Sequence, residues 1–386
     1  MLKIILSGII IPIFFVASLS GQDIHFSQFE TLASSLNPAL TGFIPGDHDV
    51  RLAGIYRNQW AGFLKEASFT TKGIAFDMRN CFSGTKHKSF NGKDKKFAGP
   101  TWGLGFSYVR DESGVRSVGG INNQSSPLIR DHGYLSGSII IPAADHFYLS
   151  GGFRFGGIFN RLETGHLRYD EQFDGVGGFD PNISGELDEM NRIKSNLFDI
   201  GGGVALFYLK PRWGANLGLA FDHVFVPVKY HFFDNDSSEP SLSRKITLHG
   251  KLSFILHKKK GNIFGVNTKI LVMNQSPYQQ IVAGTDLFFQ SGTDLSMTLG
   301  AGLRSTRQVV RSYHVDAIMA STSLNYKAFT FQFNYDINTS ILKTVSKGYG
   351  AFEFSLIYHW KKKNSKCSPA LEGCKLDGKN VHPVFI

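Results

Sequence analysis

Residues 101–111 read TWGLGFSYVRD. Trp102, Leu104, Phe106 and Tyr108 alternate with Gly103, Gly105 and Ser107. Successive side chains of an extended strand point to opposite faces. The stretch is therefore a strand with one broad, greasy face and one small, polar face. The same period recurs to the end of the chain. Leu295, Met297, Leu299, Ala301 and Leu303 alternate with Ser296, Thr298, Gly300 and Gly302. Phe329, Phe331, Phe333 and Tyr335 alternate with Thr330, Gln332 and Asn334, and Phe352, Phe354, Leu356 and Tyr358 with Glu353 and Ser355.

Counting such segments predicts about fourteen strands, the number and kind an outer-membrane barrel uses. They cover 50–60, 68–78, 101–111, 132–142, 147–159, 197–210, 213–225, 243–257, 262–273, 279–290, 294–305, 312–323, 327–336 and 348–360. Strands of soluble sandwiches average about five or six residues, whereas a tilted bilayer crossing needs about ten. The polar faces carry Asp77, Asp111, Arg154, Asp199, Asp222, Lys251, Lys269, Asp286, Arg304, Asp316 and Glu353. In a membrane the usual faces invert: Phe and Leu meet lipid, while charges and glycines line an inner space. Backbone groups in lipid must be paired within the protein, which strands achieve only in a closed barrel. The expected fold is all-β, a transmembrane antiparallel barrel over 50–360 with both termini in the periplasm. A soluble periplasmic sandwich is the less favoured fold.

Connections give a second test, because periplasmic turns are short and outer loops long. Even-numbered strands end in short links at 142–145, 210–212, 258–261, 290–293 and 324–326. The outer links 112–131, 160–196, 226–242, 306–311 and 337–347 are longer. The basic stretch 79–100 breaks the rule, being long where a tight turn is expected.

Composition agrees. The 386 residues include 34 Phe, 13 Tyr, 4 Trp and 42 Gly, with only 19% charged. That aromatic load excludes disorder, and the absence of a glycine period excludes collagen. Net charge is +10, but the basic residues are scattered apart from Lys86, Lys88, Lys93, Lys95 and Lys96. A nucleic-acid binder concentrates them on one face, so no nucleic-acid partner is expected.

Residues 1–21, MLKIILSGIIIPIFFVASLSG, pair Lys3 with an apolar core and small residues, the pattern of a secretory signal peptide cleaved before Gly21 or Gln22. Residues 22–49 do not alternate; Phe26, Phe29, Leu32, Ala33 and Leu36 predict one short amphipathic helix, stopped by Asn37-Pro38, in a strap at the periplasmic rim. The tail 361–386 is expected in the periplasm. An oxidising compartment favours a local Cys367–Cys374 disulfide, with Cys81 left over.

No catalytic motif is present, and no enzyme, cofactor or metal is expected. His223 and His231 fit no ligand spacing. The oxygen-rich run Asp234 to Glu239 lacks the glycine and terminal glutamate of a calcium loop.

QDIHFSQF at 22–29 followed by LNPALTG at 36–42, YRNQW at 56–60, FNYDINTS at 333–340 and KGYGAFEFSLIYHW at 347–360 resemble the PorP/SprF family. These are outer-membrane barrels of the Bacteroidetes type IX secretion and gliding-motility system. Asn37, Pro38, Gly42, Arg57, Asn58, Gln59 and Trp60 correspond to the family's signature positions. The resemblance implies a non-enzymatic component that helps export a large adhesin-like surface protein or anchors it at the cell surface. It also implies periplasmic secretion or motor-associated partners, within a setting of outer-membrane lipid and lipopolysaccharide. A channel or porin for small solutes is the alternative, and it requires an open lumen.

Overall fold

Alternation sets the register. In the computed structural model fourteen long antiparallel strands form a closed barrel. The structure describes residues 23–44, 48–64, 68–82, 100–113, 128–144, 146–163, 192–210, 212–225, 228–229, 241–259, 261–292, 294–307 and 313–362, with 173, 175, 375–376 and 379–380 besides. The signal segment, nearly all of 79–100, the loop within 160–196, the 234–239 run, and Cys367 and Cys374 lie outside them.

The first strands are β1 (Val50–Gln59), β2 (Phe69–Cys81), β3 (Thr101–Ser113), β4 (Leu128–Ala144) and β5 (Phe147–Glu163). Then come β6 (Arg192–Leu209), β7 (Trp213–Asp222), β8 (Lys245–Lys259), β9 (Asn262–Gln275) and β10 (Tyr278–Ser291). The last four are β11 (Leu295–Arg307), β12 (His314–Tyr326), β13 (Phe329–Asn338) and β14 (Tyr349–Trp360). Pairing of β1 with β14, from Val50↔Trp360 to Gln59↔Ala351, closes the ring. Every expected strand is present. The strands β4, β5 and β6 are longer than the apolar alternation marks, by four or five residues at the loop end. There the backbone ladder continues past the lipid-facing residues into Arg130, Arg161 and Lys194. The shorter β7 meets β6 only across Gly202–Leu209, so among the described strands the outer part of β6 pairs with β5 alone.

Which face meets which environment decides the reading. Phe106, Leu299, Phe331 and Phe354 point outward and are 43%, 63%, 50% and 52% exposed. The charged set points inward: Asp77, Arg154, Asp222, Lys251, Arg304 and Glu353 are all buried. The molecule is an inverted protein, apolar outside and ionic within, which only a lipid environment makes favourable. Short turns gather at the end where β1 begins and β14 finishes, so that end is periplasmic. Aromatic pairs meet there, Tyr208 tilted against Trp213 at 4.7 Å and Tyr358 stacked on Trp360 at 5.2 Å, in the place of an interfacial girdle. Two connections depart from the length rule. The 82–100 link is long on the periplasmic side, and 276–277 is tight on the outer side.

The largest difference from the sequence reading concerns the strap. Residues 23–44 do not lie at the periplasmic rim; they run through the barrel lumen. Ile44 accepts a hydrogen bond from Arg79 near the periplasmic end. Asp23 meets Gln275 and Lys245 at the outer ends of β9 and β8. The first described residue therefore lies at the outer end and not in the periplasm. The expected helix shrinks to Ala33–Leu36. The physical reason is competition for backbone donors: the N–H groups of Ser27 and Gln28 bind the Glu353 carboxylate of the wall and not a helical ladder. The predicted apolar face is still buried, with Phe29 against Leu271, Met273 and Val282, and Leu32 against Ala53 and Ile55.

Cys81 also departs from expectation, because it is disulfide-bonded. Cys367 and Cys374, the expected pair, lie outside the described residues.

Candidate functional site: the plugged lumen

The NPALTG stretch forms the inner half of the plug. Asn37 has extended backbone and caps a 3-10 turn, Pro38–Leu40, by accepting the Ala39 N–H at 2.9 Å. Proline suits the first position of such a turn because its missing N–H would have no partner there. The Asn37 amide also donates to the Val204 carbonyl at 3.1 Å and faces His249 at 3.1 Å. Carbonyls of Ala39 and Thr41 accept from Ser150 and Ser138 of the wall at 2.6 and 2.5 Å. Thr41 bonds Ser136 at 2.9 Å. The Gly42 N–H donates to Asp77 at 2.7 Å, and Arg51 holds the same carboxylate with two bonds of 2.8 Å.

Close approach explains the glycines of the polar faces. Gly42 has φ +69°, and a Cβ there would lie 2.7 Å from the Gly103 Cα. A Cβ on Gly152 or Gly203 would collide with Pro38 or with the Asn37 side chain. These wall glycines do not open the lumen; they form the bed in which the plug lies.

The outer half is held by charge. Ser27 and Gln28 donate backbone N–H groups to the two Glu353 oxygens at 2.7 and 2.8 Å. Arg57 reaches Glu353 at 2.5 Å and Asp336 at 3.1 Å. Arg304 reaches Asp336 at 2.8 Å and Asp316 at 2.9 Å. The Ser27 hydroxyl sits among them, donating to Asp336 at 2.8 Å and accepting from both arginines at 3.1 Å. Four of the motif segments converge on this cluster, QDIHFSQF with Ser27, YRNQW with Arg57, FNYDINTS with Asp336 and GAFEF with Glu353, while Arg304 and Asp316 come from β11 and β12.

Two further ion pairs fix the plug. Asp23 meets Lys245 at 2.7 Å and His223 at 3.0 Å. Burial alone would raise its carboxyl, but Lys245 and His223 outweigh burial and hold it well below the usual range. Glu30 meets Lys251 at 3.1 Å. Its carboxyl is lowered as well: burial opposes this, and Lys251 with Lys269 prevails.

Of the expected signature residues, the lumen gathers Asn37, Pro38, Gly42, Arg57 and Gln59. Asn58 lies on the opposite face of β1 near the Tyr56 hydroxyl, and Trp60 stands past the strand end, edge-on to Phe69 at 5.4 Å. Asp23, Ser27, Asp336 and His249 were not singled out from the sequence. Asp23, Ser27 and Asp336 sat inside the quoted motif segments, whereas the position of His249 on an inward face was the only signal it gave. Among the described residues no cluster of His, Cys, Asp or Glu could hold a metal. The spaces beside the plug are small, about 90 Å³ near Lys251, Lys269 and Gln332 and about 80 Å³ near Phe26, Leu36 and Met273. Each has room for a few waters, whose share of liquid volume is about 30 Å³ apiece.

Solved structures with a similar barrel share little sequence. A Pseudomonas aeruginosa FadL homologue matches at 12% identity and TM-score 0.43, over 85% of this chain and 94% of that one. The Ralstonia pickettii toluene transporter TbuX matches at 11% and 0.41, over 89% and 96%. The CymD monoaromatic hydrocarbon channel matches at 11% and 0.43, over 86% and 93%. No curated protein matches the chain. The profile of the type IX secretion system membrane proteins PorP/SprF, by contrast, matches residues 18–358. With nearly the whole length covered, and with four of the five resembling segments meeting at one buried cluster, the chain belongs to the PorP/SprF family of outer-membrane barrels.

Proposed function

We propose that this non-enzymatic barrel docks a large exported surface protein at its outer end and periplasmic secretion components at its inner end, and that cargo does not pass through its lumen. One observation carries the reading: residues 23–44 fill the lumen and are held at both ends by buried bonds. A plug tied by Arg57, Glu353 and Asp336 at one end and by Asn37 and Asp77 at the other favours a docking platform over a conduit. The outer surface for an adhesin-like partner would then be built from the long connections, above all 160–196. The inner surface would use the 79–100 segment and the tail 361–386.

Deleting 164–191, the part of that connection between the ends of β5 and β6, tests the outer half of the proposal. The barrel should still insert and stay resistant to detergent unfolding, while the partner is lost from the cell surface. Unchanged surface retention would refute it. The alternative, a small-solute channel, needs the plug displaced. Single-channel recording of the purified protein should give no steady conductance; a steady large conductance would favour the channel.

A further inference from the structure

On the lipid face of β2 to β6 the apolar residues give way to charge at the outer end. Lys72 follows the parity of Ile74 and Phe76 and lies about 13 Å beyond Phe76 at 3.3 Å per residue. Arg110 continues the face of Leu104 and Phe106, Arg161 that of Phe155 and Phe159, and Lys194 that of Phe198. Register makes them neighbours: Lys72 stands opposite Arg110, and Arg161 opposite Lys194. Asp131 organises the centre. It takes two bonds from Arg110, at 2.7 and 3.1 Å, one from Arg161 at 3.2 Å and the Tyr108 hydroxyl at 2.6 Å. Glu112 lies 3.6 Å from Lys72. Among the described side chains four cations thus face two carboxylates, and Lys194 is exposed with no ion pair among them. The side chains are reachable: Lys72 is 52% exposed, Arg110 34% and Arg161 32%. The opposite wall differs at the same level. Exposed Arg307, Lys343 and Lys347 stand there too, but Arg307 lies 5.8 Å over the Tyr313 ring and no carboxylate among the described residues gathers the three into one cluster.

We infer that the outer end of β2–β6 is a binding surface for the phosphorylated headgroup of an outer-leaflet glycolipid. The patch sits where acyl chains end and headgroups begin, on the lipid side of the wall. Its excess charge is positive, and guanidinium forks pre-set by Asp131 match phosphate oxygens in charge and geometry. The surface turns this side of the barrel toward ordered glycolipid.

Native mass spectrometry of the purified full-length barrel, titrated with bisphosphorylated lipid A, tests this. A Lys72→Gln, Arg161→Gln, Lys194→Gln triple variant should bind about tenfold more weakly, a loss of charge-assisted contacts. A matched triple change at the periplasmic end, Lys258→Gln, Lys259→Gln, Lys327→Gln, should leave binding unchanged. Dephosphorylated lipid A should bind wild type no better than bisphosphorylated lipid A binds the first triple variant. Should that variant fail to fold, Lys194→Gln alone removes one exposed charge of the patch and should still weaken binding about threefold. Equal affinity in wild type and the outer-end variants, equal loss in the periplasmic control, or full binding of the dephosphorylated lipid would each overturn the inference.

Discussion

The two halves of the plug occupy one lumen but are held by different forces. Residues 37–44 are seated mainly by shape: neutral hydrogen bonds to Ser136, Ser138, Ser150 and Val204, glycines that let backbone approach backbone, and only backbone groups offered to charge, at Asp77 and Arg79. Residues 23–30 are seated by charge: Asp23, Ser27 and Glu30 meet lysines, arginines and carboxylates of the wall. A shape-held contact fails when volume is added. A charge-held contact fails when one partner is removed, because the other is left buried and unpaired. The comparison predicts that the two halves break by different substitutions and respond differently to solution conditions.

The largest effect is expected at the shape-held end. Gly203→Leu places a side chain where Asn37 lies, against a bed with no slack. The inner half should fail to seat, so that steady ion conductance appears in planar bilayers and protease cuts within 23–49. A silent, protease-resistant variant would show that the wall glycines do not set the plug.

Next comes the charge-held end. Arg57→Ala strands Glu353 with no cationic partner and leaves Asp336 to Arg304 alone. Breaking a buried pair from one side costs about 3–5 kcal/mol. Urea unfolding followed by heat-dependent gel mobility should report a loss of that size, only partly recovered by Arg57→Lys, since lysine lacks the guanidinium fork. A smaller step is Asn37→Ala, which removes a cap and one bond to the wall. The cost should be about 1–2 kcal/mol in the same assay, with the lumen still closed.

These contrasts also explain what the sequence disclosed. Strand number, facing and turn placement were legible because period two is a local signal, visible in Trp102 to Tyr108 without knowledge of any partner strand. The extensions of β4, β5 and β6 were not, since Arg130 and Lys194 end the apolar alternation while the backbone pairing continues. The plug was the least legible element. Phe26 to Leu36 reads as a helix face on its own, and only the distant Glu353, more than three hundred residues away, diverts the Ser27 and Gln28 donors. The lumen glycines allowed two readings, an open pore or close packing, and the identity of the packed segment decides between them. The site residues were half legible: the motif segments were visible, but their convergence on Ser27 needs the closed ring.

The smallest expected effect is that of pH, and its sign follows from Asp23. Its carboxyl is held well below the range it has in the unfolded chain, by Lys245 and His223 against the opposing pull of burial. A lowered native pKa contributes stability above the unfolded value, and that stability is lost as pH falls through the lowered native one. Glu30 is shifted the same way. His25, half-buried and desolvated in the lumen beside Arg304 and Arg57, is lowered to about 3, so it stays neutral and adds no switch near neutrality. Moving from pH 7 to pH 5 should therefore leave the charge-held half seated, with protease resistance and conductance unchanged. Release should begin only in stronger acid, and Asp23→Asn should erase that acid step in part while leaving the shape-held half in place. Plug release already at pH 5–6 would show that the ion pairs are looser than their burial implies.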